Sequence, residues 1–296
     1  MSILLALAAA QAAAPPKPLT PSEIVARAPA EAWQKVRPED LLVIDFADGA
    51  RTLVQLAPAF APVHVANIRA LAQADYWRGS SVYRVQENYV AQWGVNEGGP
   101  AIPATVVKRP PAEYTRPVRG LVIRPLGYGD SYAPRVGHAL GWPVAWNPAT
   151  GRANLAHCNG MVGVGRDMAP DTGMGGELYA VIGHAPRHLD RNIALVGRVV
   201  EGIEHLSALP RGTEALGFYK AGTVARLIRS ARLASALPAA QQPSIEVMAS
   251  GSASFAAFVR ARANRRDDFF NVAAGGVDLC NAPVPVRRTP ASPPTR

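Results

Sequence analysis

Proline and glycine punctuate this chain so closely that long uninterrupted helices have little room: 27 Pro and 26 Gly are spread through 296 residues. Proline removes a backbone donor and fixes φ, while glycine loosens the chain. Such a sequence favours short elements joined by turns over a helical bundle. The apolar runs agree. "DLLVIDFADG" and "ARTLVQLAP" are β-type runs around an Asp48-Gly49 turn and predict a hairpin. "SSVYRVQENYVAQWG", Ser80 to Gly94, predicts a second, and it carries Arg84 and Gln92 where strand residues would only need to pack. On strand pattern alone Arg84 reads as a surface arginine in a salt bridge.

Other elements follow from the same cues. "APVHVANIRALAQADY", with Val63, Ala66, Ile68 and Leu71 apolar, predicts an amphipathic helix. A short helix is expected in "TPSEIVARAPAEAWQKV", capped by Thr20 or Ser22 with Glu23 in its first turn. "AIPATVVKRPP" and "RGLVIRPLG" read as strands, as do "TVARLIRSARLA" and the start of "IALVGRVVEGIEHLSAL", which turns helical from about Gly202. Phe255, Phe258 and Val259 have helical spacing and predict a helix at about residues 252–266, with Ser252 or Ser254 as cap. The end, "APVPVRRTPASPPTR", reads as disordered.

Composition sets limits on function. A hydrophobic content of 48% supports a sizeable core. The net charge of +9 invites an acidic partner, but the basic residues are scattered. The densest group, Arg260 to Arg266, runs straight into Asp267 and Asp268, and no aromatic-interleaved basic stripe occurs, so nucleic acid is not an expected partner. Residues 1–14 resemble a secretory signal peptide, with an apolar run from Ile3 to Ala10, small residues before the prolines and no basic residue at the start. That run is too short to span a bilayer, so the expectation is an exported, periplasmic protein without membrane insertion. In an oxidising compartment Cys158 and Cys280 could form one disulfide. With no CxxC spacing they do not suggest a metal site, and His157 beside Cys158 reads as coincidence.

The chain has no HExxH, no P-loop lysine and no GxSxG, and "GVGRDMA" is a poor dinucleotide motif because Met-Ala-Pro follows it. His64 reads as a surface or core residue, and nothing in the sequence fixes Asp171 and Glu177 as a pair. No metal or cofactor is expected.

The order of segments nevertheless resembles one family, the cyclophilin-type peptidyl-prolyl isomerases. Pro62, Asn67, Leu71, Tyr76, Gly79, Arg84, Val85, Gln92 and Gly94 stand in register with that family's "P-x-x-x-x-N-F-x-x-L" helix and "Y-x-G-x-x-F-H-R-V-x-x-x-F-x-x-Q-G-G" hairpin. "GMVGVGRDMAPDTGMGGELYAVIG" resembles "G-x-x-S-M-A-N-x-G-P-N-T-x-x-S-Q-F-F-I" more loosely. Leu189, Asp190, Gly197, Val199 and Gly202 fit "W-L-D-x-x-x-x-V-F-G-x-V-x-x-G". The chain is thus similar to a divergent, exported bacterial member of the family.

The resemblance implies a mainly β fold: a closed eight-stranded antiparallel barrel capped by helices, over residues 41–235. A long insertion at about 95–155 interrupts it, a Pro/Ala-rich segment (15–40) precedes it, and an extension (236–296) with a helix follows. Its implied activity is cis-trans isomerisation of proline-containing segments of exported proteins by a monomer. Arg84 would stabilise the twisted prolyl amide and Gln92 would hold a substrate carbonyl. Tyr89, Val90, Tyr179, Leu189 and His188 would shape the proline pocket, with Asp167 on its rim. Val90 and Gln92, two apart, share a face; Tyr89 has the opposite parity. Several positions depart from the family: His188 stands for a pocket Trp, Tyr179 for a Phe, Ile193 for a His, Glu177 for a Gln and Tyr83 for the His before the arginine. Gly165, Arg166 and Asp167 replace "M-A-N" on the rim. The alternative is a cyclophilin-like binding or chaperone module with weak or no turnover.

Overall fold

The Asp48-Gly49 turn closes the first hairpin, with Gly49 at φ 88° and the Asp48 carboxylate accepting from the Ala50 amide. It joins β1 (Leu41–Phe46) to β2 (Arg51–Leu56). The structure, a computed structural model, describes residues 18–94, 99–267 and 269–289. The barrel continues with β3 (Ser81–Val85), β4 (Val90–Gly94), β5 (Met161–Val164), β6 (Leu178–Val181), β7 (Leu195–Glu201) and β8 (Arg226–Leu233). These eight strands close in the order β5-β6-β4-β3-β8-β1-β2-β7, every pair antiparallel. The fold class is therefore the one the resemblance implied.

Strand alternation fills the barrel. Leu42, Ile44, Phe46, Val54, Trp93, Leu178 and Ile228 belong to one buried cluster, and a barrel of this size holds side chains and no channel. Every residue of β1 is buried, because its outward face is covered as well: Leu41 and Val43 pack with Val36, Ile245 and Val247. The cover is a three-stranded sheet of Trp33–Lys35, Ile245–Met248 and Val286–Arg288, which pairs the segment before the barrel with the extension after it. One expectation is corrected here, that of a disordered end. The extension supplies strands beside its expected helix. The chain end is ordered through Thr289, because Val286–Arg288 completes that sheet. The expected signal peptide and the last residues, 290–296, lie outside the described residues.

Among the described residues the α-helices are α1 (Pro21–Ala26), α2 (Pro62–Gln73), α3 (Glu204–Ser207) and α4 (Ala253–Ala263). Thr20 and Glu23 form a capping box on α1, and Ser252 caps α4, whose end at Ala263 falls short of the expected 266. α2 buries Val65, Ile68, Leu71 and Ala72 against the barrel core. Its N-terminus has no side-chain cap of its own. Glu113, from the insertion, accepts from the Val63 and His64 amides at 2.9 and 3.0 Å and meets His64 Nδ1 at 2.7 Å. His64 is accordingly a core residue.

The insertion forms a five-stranded antiparallel sheet, in spatial order Arg116–Pro117, Arg152–Leu155, Trp142–Asn147, Arg135–Ala139 and Ile123–Pro125. Its Val136, Trp142, Val144 and Leu155 pack on barrel residues Met161 and Leu195 and on Leu279 of the extension. Of the two strands expected there, "RGLVIRPLG" forms one at Ile123–Pro125; "AIPATVVKRPP" is irregular, its prolines denying ladder bonds. Residues 95–98 lie outside the described residues. Cys158 and Cys280 form a disulfide with Cα atoms 5.0 Å apart, tying the start of β5 to the extension.

Candidate functional site

Regular alternation would send only every second residue of β3 outward. The register shifts between Val82, opposite Trp93, and Arg84, opposite Gln92. This bulge leaves Val82 and Val85 in the core and lets two successive side chains, Tyr83 and Arg84, face the same groove. β4 presents Val90 and Gln92 outward, and β6 sets Tyr179 directly opposite Gln92 and Val181 opposite Val90. Val90, Tyr179 and Val181 form a small apolar cluster outside the barrel, with Tyr89 and Ile193 packed against it.

These side chains line one groove of about 600 Å³. Arg84, Gln92, Tyr89, Val90, Tyr179 and Leu189 all lie along it, and Asp167 stands on its rim. The turn before β4, with Asn88 at φ 52°, brings Tyr89 round despite its opposite parity. His188 does not line the groove; its ring stacks against Tyr89 with centroids 6.1 Å apart. No residue of the described insertion lines the groove either. The insertion's Lys108 lines only a smaller adjoining depression with Asp171 and Glu177.

Sequence reasoning did not find the opposite wall. Leu216, Phe218, Tyr219 and Lys220, in the connection between α3 and β8, line the groove beside Arg84. Leu216 adopts φ 59° and Gly217 φ 80°, which folds the connection back on itself. It is anchored by Gly212 N to Val85 O and by Tyr219 N to Tyr83 O. The Phe218 ring stacks on Tyr83 at 6.0 Å and lies 5.3 Å from the Arg84 guanidinium carbon.

A hydrogen-bonded chain sets the polar geometry. Arg84 donates through Nε to the Leu216 carbonyl (2.8 Å), through one terminal nitrogen to Gln92 Oε1 (3.1 Å) and through the other to Gln86 Oε1 (2.6 Å). Gln92 Nε2 in turn donates to Tyr83 Oη (2.5 Å) and Glu177 Oε2 (3.2 Å), while Tyr83 donates to the same carboxylate oxygen (2.7 Å). A guanidinium has five N–H groups, so one hydrogen on each terminal nitrogen of Arg84 remains without a partner among the described residues. Burial lowers the Arg84 pKa, opposed by Tyr89 and Tyr83, but arginine starts so high that the charge persists. Burial first, and then the charge of Glu177, push Tyr83 up, so its phenol stays protonated. Gln92 therefore faces Arg84 with its oxygen and spends both amide hydrogens on Tyr83 and Glu177, where a substrate carbonyl was expected.

The site thus offers a fixed cation over an apolar pocket. No group of three or more His, Cys, Asp or Glu residues suited to a metal occurs among the described residues. Nor is any described helix long and apolar enough to cross a membrane.

The family model for cyclophilin-type peptidyl-prolyl cis-trans isomerases matches residues 43–233, and the chain belongs to that family. The crystal structure of the cyclophilin AquaCyp293 from Hirschia baltica superposes with a TM-score of 0.65 at 22% identity, covering 91% of this chain and 97% of that one. That coverage carries the likeness in fold beyond the family-matched region. A Cryptosporidium parvum cyclophilin-type isomerase, crystallised in the presence of the dipeptide Ala-Pro, aligns with a TM-score of 0.41 at 11% identity, covering 65% of this chain and 98% of that one. No curated protein matches the sequence.

Proposed function

We propose that this protein is a peptidyl-prolyl cis-trans isomerase acting on proline-containing segments of exported proteins, with Arg84 stabilising the twisted amide. Amide resonance holds the peptide bond against rotation by about 18–20 kcal/mol. Twisting makes the prolyl nitrogen pyramidal and gives it a lone pair that the planar amide lacks. A guanidinium hydrogen aimed at that position binds the twisted state better than either planar state, and it needs no nucleophile, base or metal. The carrying observation is the Arg84 fork. Gln92, Gln86 and Leu216 hold it, and among the described residues one hydrogen on each terminal nitrogen has no partner beside the Val90, Tyr179, Leu189 and Ile193 pocket. Gln92 acts here by orienting Arg84. The export reading draws on the N-terminal sequence and on the Cys158–Cys280 bond, which suits an oxidising compartment.

The test is cis/trans exchange of a proline tetrapeptide. Arg84→Ala removes most of the acceleration while the fold survives; equal rates for the two proteins would sink the catalytic role. A second reading, a binding or chaperone module without turnover, draws on the Leu216 carbonyl that occupies Arg84 Nε and on the spent donors of Gln92. Peptide binding without acceleration would favour it. Cell fractionation tests export: full-length protein confined to the cytosol removes that part of the proposal.

A further inference from the structure

Tyr179 forms part of the pocket floor, yet its hydroxyl points away from solvent into a second, buried set of polar groups. The residue is 4% exposed and its hydroxyl lies 2.9 Å from Nε2 of His157, which is fully buried. Both the His157 backbone amide (2.9 Å) and its Nδ1 (2.8 Å) bond to Asp190 Oδ1. A carboxylate only accepts, so Nδ1 carries a proton; in the neutral ring Nε2 then offers its lone pair to the tyrosine hydroxyl. Burial alone would raise the Asp190 pKa; the His157 hydrogen bond and the Arg187 charge outweigh it and hold the carboxyl below its usual range. Asp190 Oδ2 accepts from Arg187 Nε at 2.6 Å, and the buried Arg187 also bonds Asp130 of the insertion at 2.6 Å. Behind the phenol, β5 has Gly163: a Cβ there would sit 2.2 Å from the tyrosine hydroxyl. The sequence has thus cleared space for a hydroxyl and supplied it with one acceptor.

We propose that His157 is a positioning residue for the proline pocket. It fixes the Tyr179 ring through the hydroxyl, and the Asp190–Arg187–Asp130 chain makes that position depend on the insertion. The consequence for catalysis rests on the isomerase reading; the consequence for Tyr179 itself does not. A hydrogen bond at the far end of the ring sets where its face meets a substrate ring, and small misplacements of groups that orient a substrate are costly in rate.

The experiment is a double-mutant cycle on the full chain with His157→Phe, Tyr179→Phe and the pair, read two ways. In protein labelled with 13Cζ-tyrosine, the resonance missing from Tyr179→Phe identifies Tyr179, and it shifts in His157→Phe. On a proline tetrapeptide, His157→Phe lowers kcat/KM by about tenfold, with KM raised as well as kcat reduced. In the Tyr179→Phe background the same change has less than about a twofold effect, because the bond is already gone. His157→Gln, which keeps an acceptor, restores part of the rate and serves in place of His157→Phe if that variant does not fold. An unmoved Tyr179 resonance, or an equal loss in both backgrounds, overturns the proposal. A Tyr179 resonance that shifts in His157→Phe, together with a wild-type protein that accelerates nothing, leaves the positioning intact and removes the isomerase reading instead.

Discussion

Arg84 donates to the Gln92 side-chain oxygen at 3.1 Å across the β3–β4 pair, which fixes which way the Gln92 amide faces. The amide nitrogen is held from the other side by Tyr83 and Glu177, so the guanidinium sits at the end of a chain whose members orient one another. Tyr83→Phe removes the hydroxyl, frees one hydrogen of Gln92 and loosens its hold on Arg84. Losing about 1 kcal/mol of net hydrogen bonding corresponds to a fall in kcat/KM of about fivefold, with Tm little changed. Because the Tyr83 phenol is pushed up and Arg84 keeps its proton, kcat stays flat between about pH 6 and 8. Unchanged kinetics in Tyr83→Phe would show that the chain does not hold the arginine.

Phe218 closes the groove from the far side of Arg84. Its ring meets both Tyr83 and the guanidinium, and it remains 38% exposed, so it faces the groove more than the core. Ring stacking and cation–π contacts of this kind contribute about 0.5–1.5 kcal/mol. Phe218→Ala therefore raises KM for a proline peptide by about three- to tenfold while the urea midpoint stays within error. A large loss of stability with KM unchanged would make Phe218 a packing residue and remove it from the site.

Much of the barrel was legible because hairpins write themselves in short range: an Asp-Gly turn between alternating runs, then two-residue parity for Val90 and Gln92, while Tyr179 came from the family resemblance. The family resemblance named Arg84 where parity alone left it on the surface. Tyr83 escaped because a bulge breaks the alternation that parity relies on. The wall at Leu216 to Lys220 escaped because a positive φ at Leu216 folds back a connection whose partner Arg84, on β3, lies 132 residues away in sequence. His157 looked like coincidence because its partners, Tyr179 and Asp190, are 22 and 33 residues away. The insertion sheet was faint since two of its strands, Arg116–Pro117 and Ile123–Pro125, are very short, and the longer ones are buried on most positions, as in Trp142–Asn147.

His138 ties stability to pH. It lies in the insertion sheet, 1% exposed, with Nε2 bonded to the Ala282 carbonyl at 2.9 Å and Arg198 nearby. Burial, helped by the Arg198 charge and opposed by the Ala282 bond, pushes its pKa down to about 4. In the unfolded chain an imidazole titrates near 6.5, so between about pH 6.5 and 4 the unfolded state binds the extra proton. Stability present above pH 6.5 is lost as pH falls through this window, by about 3 kcal/mol in all, and then levels off. Urea denaturation across this range measures the slope, and His138→Gln flattens it by about one proton's worth. Parallel curves for the two proteins would place the sensitivity elsewhere.

Glu113 couples the insertion to the helix that packs beside the barrel core. Its carboxylate accepts from the first amides of α2, which otherwise has no side-chain cap, and from the buried His64 ring. An acidic group at a helix N-terminus also meets the positive end of the helix dipole. Removing it leaves two amides and an imidazole without their acceptor, a larger loss than that of an ordinary exposed cap. Glu113→Ala costs about 2 kcal/mol of stability, and Glu113→Gln, which keeps one oxygen acceptor, costs about half of that. The local readout is hydrogen exchange: the Val63 and His64 amides lose protection in Glu113→Ala before the β1–β2 ladder does. Protection unchanged at those two amides would mean that the insertion packs against the helix without capping it.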